Sequence, residues 1–235
     1  MKEEGEIMNF AIILAGGISS RMNSNIPKQY IKINDKPMIM YSIETFQKNS
    51  QIDRIIIVAK DQYHETIKSY CSKYGITKLD NVISSGSSRQ NSVNNALSYL
   101  KEKEISEDDI VLIHDSARPL VSQKIIDDNI SECMKTGSVV TAVSVNDTIF
   151  ISDGCKVDAP LERSKLKASQ TPQTFTFKII LDAYEKNKDE SVTDDVQMVL
   201  KNGISVSIVD GDKNNFKITT DNDILLLKNI LDSSK

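Results

Sequence analysis

No apolar run in the 235-residue chain approaches the roughly 18 residues that a membrane-spanning helix requires, so a soluble protein with no membrane partner is expected. Positive charge is not in excess either. The formal net charge is −4, which argues against nucleic acid as the main partner and leaves room for a local basic pocket. Cysteine is scarce: Cys71, Cys133 and Cys155 are odd in number and show no CxxC spacing, so neither a disulfide framework nor a zinc site is indicated. A reducing, cytoplasmic setting is the matching expectation. The two strings that most directly announce a phosphate-binding loop, GxxxxGK[ST] and GxGxxG, are both missing. The opening MKEEGEIMN is charged and has no apolar stretch of the kind a signal peptide needs, so residues 1–9 read as a flexible lead-in. Internal repeats and low-complexity segments are absent as well.

What remains is ordinary soluble-protein composition arranged in an alternating pattern. A hydrophobic share of 39% in a chain of this length can bury one large core, and a single domain over 10–235 is expected. Short apolar runs suited to buried strands (Ala11 to Leu14, Arg54 to Ala59, Asn81 to Ser84, Ile110 to His114, Val139 to Val145) alternate with helical spacing over Met38 to Lys48, Gln62 to Tyr74, the stretch up to Leu100, and Ile125 to Thr136. That alternation predicts an α/β fold, a doubly wound and mostly parallel sheet. Further on, Lys167 to Phe175 returns to the core before helices over Thr176 to Lys186 and Val196 to Lys201. Strands over Val206 to Val209 and Phe216 to Ile218 then precede a closing helix, Asp221 to Leu231. Between Asn146 and Lys167 the pattern changes to a turn at Ser152-Asp153-Gly154 within a largely polar run, which predicts a protruding β-arm that gains order on a partner surface.

The chain is organised around Phe10 to Tyr30, FAIILAGGISSRMNSNIPKQY. A buried strand that runs into Ala15, Gly16, Gly17, Ser19 and Ser20 brings bare backbone N–H groups to the carboxyl edge of a sheet, where a phosphate can approach. Arg21 and Lys28 follow, with Pro27 restricting the backbone before the lysine. Fixed cations there stabilise charge that develops on a triphosphate under attack. The glycine turn alone signals only a tight connection; the whole string carries the reading. The second loop, SSGSSRQNSV from Ser84 to Val93, suits either a nucleotide contact or a plain helix cap. At the tip of the next strand, Asp115 reads either as a ligand for Mg²⁺ or as an ion-pair partner of Arg118 that shapes the turn. His114, one residue earlier, points to the opposite face and reads as structural, and His64 has no assigned role. Thr193 or Asp194 caps a helix, and Lys217 faces either solvent or the cleft.

Six segments, LAGGISSRM with PKQY, SGSSRQNSV, HDSARPLV, VNDTI, RSKLKASQTPQ and NFKITT, together resemble the cytidylyltransferases that act on methylerythritol phosphate or ribitol phosphate. The resemblance runs from Phe10 to about Leu231. It implies a nucleotidyltransferase-type α/β fold and a homodimer with interlocking arms over 146–167. It also implies CTP as co-substrate with Mg²⁺, and an alditol phosphate as acceptor. By the same resemblance Leu14, Ala15, Gly16, Gly17, Ser19, Ser20, Gly86 and Ser92 hold CTP, while Arg21, Lys28 and Lys217 meet its phosphates. Asp115, Arg118, Thr171 and Thr193 line the acceptor pocket, which Thr148 and Arg163 reach from the partner subunit.

The chain departs from the family pattern at Ser19, where a second glycine is usual, and at Ser87, where an acidic residue is usual. The first bears on phosphate contact and the second on ribose recognition. Those two positions are the support for a rival reading, a nucleotide-binding regulator that kept the fold without the chemistry. Substrate signals divide: LAGG and HDS resemble the ribitol-phosphate branch, whereas PKQY, RSKL and TDD resemble the methylerythritol-phosphate branch, which is the expectation taken forward.

Overall fold

The computed structural model describes residues 5–17, 26–187 and 192–233. In chain order its elements are β1 Asn9–Leu14, β2 Lys32–Ile33, β3 Lys36–Pro37, α1 Met38–Lys48, β4 Arg54–Ala59, α2 His64–Lys73, β5 Leu79–Ser84, α3 Arg89–Glu102 and β6 Ile110–Asp115. They continue with α4 Gln123–Thr136, β7 Ser138–Ser144, β8 Phe150–Ser152, β9 Val157–Pro160, β10 Lys167–Thr176, α5 Phe177–Lys186, α6 Asp195–Lys201, β11 Ser207–Asp210 and α7 Asp221–Ser233. Seven strands form one sheet in the order β11-β7-β10-β6-β1-β4-β5, and β10 alone runs antiparallel to its neighbours.

Strand alternation sorts the apolar residues into two layers. Ala11, Ile13, Ile55, Ile57, Ile110 and Leu112 join one buried cluster with residues of α1, α2 and α4. Phe10, Ile12, Ile56, Val58, Val111 and Ile113 join another with residues of α3, α5 and α6. Each fully buried isoleucine contributes about 1.5–3 kcal/mol relative to exposure, so both faces of the central strands are committed to the core. This is why β1, β4 and β6 read as unbroken apolar runs in the sequence.

The chain leaves β1 to build β4 and β5 on one side and then returns to place β6 on the other. The order therefore reverses between β1 and β6, where Leu14 and Asp115 lie opposite each other in register. The crevice beyond the carboxyl ends of strands at such a reversal is where open α/β sheets bind ligands.

Three expectations need correction. Residues Phe216 to Ile218 form no strand; they run as an extended segment tied down by the Ile218 N–H bond to the Ala117 carbonyl (2.8 Å). β1 starts at Asn9, which is 2% exposed, and Met8 N–H donates to Asp109 Oδ1 (2.8 Å), so this end of the lead-in is bonded to the domain. The arm's apolar side chains are more prominent than its polar sequence suggested. The two-stranded β8–β9 sheet leaves Phe150 and Ile151 about half exposed and Val157 60% exposed.

Candidate active site

Beyond Leu14 and Asp115 opens a cavity of about 350 Å³, lined in part by Gly16, Gly17, Lys28, Gly86, Arg89, Ser92 and Lys217. Its walls come from the first loop, the second loop, the tip of β6 and the segment before α7. The first loop meets the second at Gly16, whereas Gly86 packs against the start of α3 within its own loop. A Cβ on Gly16 would lie 2.5 Å from Ser85 Cβ, and one on Gly86 would lie 2.3 Å from Asn91 Cβ and 2.7 Å from the Asn91 carbonyl carbon. Both positions need glycine for close approach. Ser92 Oγ accepts from the Gly86 N–H (3.1 Å) and donates to the Ser88 carbonyl (2.8 Å), while Ser88 caps α3 by accepting from the Asn91 N–H (3.0 Å). The second loop thus caps a helix, as one reading of the sequence has it, and also faces the cavity.

Gln29, quoted in the sequence motif without a role, is buried and donates through Nε2 to the carbonyls of Ala15 (2.6 Å) and Gly17 (3.0 Å). It clamps the first loop against the short turn Lys28–Tyr30. Lys28 extends from that turn to the Ile218 carbonyl (Nζ to O 2.5 Å), which joins the first loop to the segment before α7. Ser19, Ser20 and Arg21, expected on the same loop, lie outside the described residues. Leu14 lines the cavity, and Ala15 lies just behind it, 2% exposed.

Lys217 faces the cleft and not bulk solvent: its Nζ is 2.7 Å from Asp115 Oδ2. The other Asp115 oxygen, Oδ1, is 3.5 Å from Arg89 Nε. Burial raises the proton affinity of this carboxyl, but the charges of Arg89 and Lys217 outweigh it and hold the group well below the usual carboxylate range. The anticipated ion pair with Arg118 is not formed. Arg118 closes the turn through its backbone N–H to the Asp115 carbonyl (2.9 Å). Its guanidinium donates to the carbonyls of Asn215 (2.8 Å) and Ser169 (3.3 Å), and its buried Nε has no acceptor among the described residues.

Asp115 does not fit the expected role of a Mg²⁺ ligand. Mg²⁺ demands a near-octahedral shell of oxygens, whereas both carboxylate oxygens here face cations and the remaining described residues lining the cavity include no carboxylate. Among the described residues no group of three metal-ligating side chains occurs either.

Thr171 is a support for Asp115 and not part of the cavity wall. It is 4% exposed, and its hydroxyl accepts from the Asp115 N–H (3.1 Å) and lies 3.0 Å from His114 Nδ1. His114 Nε2 faces the Arg118 carbonyl (3.1 Å) and so carries the proton, which leaves Nδ1 to accept from Thr171. One neutral histidine thereby fixes Thr171 and both ends of the 115–118 turn. Burial pushes the imidazole from 6.5 down to about 4. With a depressed folded pKa, stability is fully present above 6.5 and is lost as pH falls toward 4, because the unfolded chain binds a proton that the fold refuses. About 3 kcal/mol should disappear across that window. Denaturation midpoints of the wild type should decline from about pH 7 to about pH 4 and those of His114→Asn should decline less; equal slopes would assign the effect elsewhere.

The remaining expected residues are dispersed. Thr193 is exposed and accepts from Gln197 Nε2 (2.6 Å), while Asp194 caps α6 by accepting from the Gln197 N–H (3.2 Å). Thr148 and Arg163 are exposed on the arm, where Arg163 donates to the Asn146 carbonyl (3.0 Å), and neither lines the cavity of its own chain. Among the described residues no helix is long and apolar enough to cross a membrane.

Set beside known proteins, residues 9–233 match the family model described as IspD: 2-C-methyl-D-erythritol 4-phosphate cytidylyltransferase. The chain is 42% identical to the 2-C-methyl-D-erythritol 4-phosphate cytidylyltransferase of Clostridium beijerinckii, over 94% of this chain and 99% of that protein. It is 37% identical to the ribitol-5-phosphate cytidylyltransferase of Lacticaseibacillus paracasei, over 93% of this chain and 95% of that protein. Among solved structures, the 4-diphosphocytidyl-2C-methyl-D-erythritol synthase of Anaerococcus prevotii superposes with a TM-score of 0.83 at 29% identity, covering 96% of each chain.

Proposed function

The chain belongs to the 2-C-methyl-D-erythritol 4-phosphate cytidylyltransferase family, a family of nucleotidyltransferases, and from that premise we propose that it transfers CMP from CTP to an alditol phosphate, with methylerythritol phosphate as acceptor. The observation that carries this reading is the gathering of Lys28, Arg89 and Lys217 around one cavity at the sheet's reversal point, beside a glycine loop and below a second loop capped on α3.

In the proposed reaction a phosphate oxygen of the acceptor attacks the α-phosphorus of CTP. A new P–O bond forms as the bond to the β-phosphate breaks, and pyrophosphate departs with the electron pair. The acceptor phosphate is already ionised, so no general base or covalent enzyme intermediate is required. The chain's share is alignment and charge stabilisation. Lys28 meets charge on the triphosphate, a role that the sequence resemblance also gives to Arg21. Ser92 and Gly86 shape the nucleoside side. A magnesium ion arriving with CTP is expected to be held by phosphate oxygens and water.

The arm completes this reading. Its exposed Phe150, Ile151 and Val157 suit a second copy of the chain, and a two-fold dimer would present Thr148 and Arg163 to the neighbouring acceptor pocket. The likeness to the Lacticaseibacillus paracasei protein keeps ribitol 5-phosphate as a second reading. Pyrophosphate release from CTP with each alditol phosphate separates the two. The expected result is higher kcat/KM with methylerythritol phosphate; preference for ribitol phosphate reverses the assignment, and silence with a broad panel favours the regulatory rival.

A further inference from the structure

Arg89 was not singled out in the sequence, yet it links three segments of the site. From the first position of α3 its Nη1 and Nη2 donate to Asp195 Oδ1 (2.9 Å) and Oδ2 (2.6 Å), while its Nε faces Asp115 Oδ1 at 3.5 Å. Asp195, at the start of α6, is fully buried and built into place: it also accepts from the Tyr184 hydroxyl (2.5 Å), and its N–H donates to Gln173 Oε1 (2.9 Å). With Lys217 on the far side of Asp115, the four groups form a row of alternating charge, Asp195, Arg89, Asp115, Lys217, that leads from the core beside α6 to the cavity. The planar guanidinium fork reaches both carboxylates at once, a geometry that a lysine ammonium cannot reproduce.

We propose that Arg89, oriented by Asp195, is a positioning residue that acts through Asp115 to set how much charge Lys217 presents to the reacting phosphates. The inference rests on the transferase reading above. With Arg89 in place the Asp115 carboxylate is divided between two cations, so Lys217 is only partly neutralised and can turn toward a phosphate. Without Arg89, Asp115 pairs with Lys217 alone and draws its ammonium away from the substrate.

Removing Arg89 alone would strand the buried Asp195 charge, so the test variant is Arg89→Gln combined with Asp195→Asn, which leaves two neutral amides. The expected result is a folded protein whose kcat falls on the order of 10- to 100-fold while KM for CTP stays nearly constant, the mark of an interaction made in the transition state. In a Lys217→Met background the same pair should cause a much smaller loss, because the residue through which Arg89 acts is already gone. Unchanged kcat, or losses that simply add, would overturn the proposal. Should the pair fail to fold, Arg89→Lys keeps a charge beside Asp195 without serving both carboxylates; it should show the same fall in kcat, and wild-type kinetics would overturn the proposal. A wild type inactive with every alditol phosphate removes the transferase reading and this inference together, whereas an active wild type with an unaffected variant removes the inference alone.

Discussion

Lys28→Ala is expected to slow CMP transfer on the order of 100-fold or more, as loss of one preorganised electrostatic donor commonly does. Pro27 precedes the lysine, the turn Lys28–Tyr30 sets its direction, and the Ile218 carbonyl anchors its ammonium at 2.5 Å on the cavity wall. Gln29, next in sequence, holds the glycine loop through Ala15 and Gly17. A cation fixed this way needs no reorganisation as charge develops on the triphosphate. The loss should therefore fall mainly on kcat, with a thermal midpoint close to that of the wild type, since Lys28 lies at the cavity and outside the apolar clusters. Wild-type turnover in Lys28→Ala would reject the role.

A second large effect is expected from mixing two inactive proteins. In the dimer proposed here each site takes Lys28 from one chain and Arg163 from the other. Arg163→Ala should weaken use of the alditol phosphate, because the lost guanidinium is a permanently charged fork suited to phosphate, and it should leave CTP binding nearly intact. Subunit exchange between Arg163→Ala and Lys28→Ala then creates heterodimers with one complete site and one site missing both residues. Random exchange should restore about a quarter of wild-type activity, half of the dimers being mixed and half of their sites intact. In its own chain Arg163 is bonded to Asn146 on the arm and lines no part of the cavity, which accords with a role across the interface. Heterodimers without recovered activity would return Arg163 to its own subunit's site and end the interlocked-arm account.

The elements built on strong periodicity were legible in the sequence. Residues 39, 40, 43 and 46 mark α1, and the apolar runs of β1, β4 and β6 are buried on both faces because helices cover both. Phe216 to Ile218 was not legible: alternation predicts a strand, but the segment finds its bond at the Ala117 carbonyl, in a turn and not on a sheet edge. Lys217 could not be placed from alternation alone, since the choice between solvent and cleft depends on Asp115, about a hundred residues earlier in the chain.

Arg89 was missed for a related reason. It stands inside a recognisable loop, but the residue that orients it, Asp195, looks like part of an ordinary helix start, and only the folded chain brings the two within 2.6 Å. Asp115 is legible at the strand tip, but the sequence leaves a Mg²⁺ ligand and an Arg118 partner as alternatives, because local spacing shows a carboxylate near a phosphate loop without showing Arg89 and Lys217, the cations that face its oxygens. Thr171 was grouped with the acceptor pocket by resemblance, whereas its hydroxyl serves His114 and the Asp115 backbone.

The central claim is that the α-phosphorus of CTP passes to an alditol phosphate, and phosphorus NMR of the protein incubated with CTP, magnesium and methylerythritol phosphate tests it most directly. The account predicts that the three CTP resonances give way to pyrophosphate and a coupled pair of signals from an unsymmetrical diphosphate diester, in equal amounts. CTP left intact with every alditol phosphate, or CTP hydrolysed to CDP and inorganic phosphate with the acceptor unchanged, would contradict it.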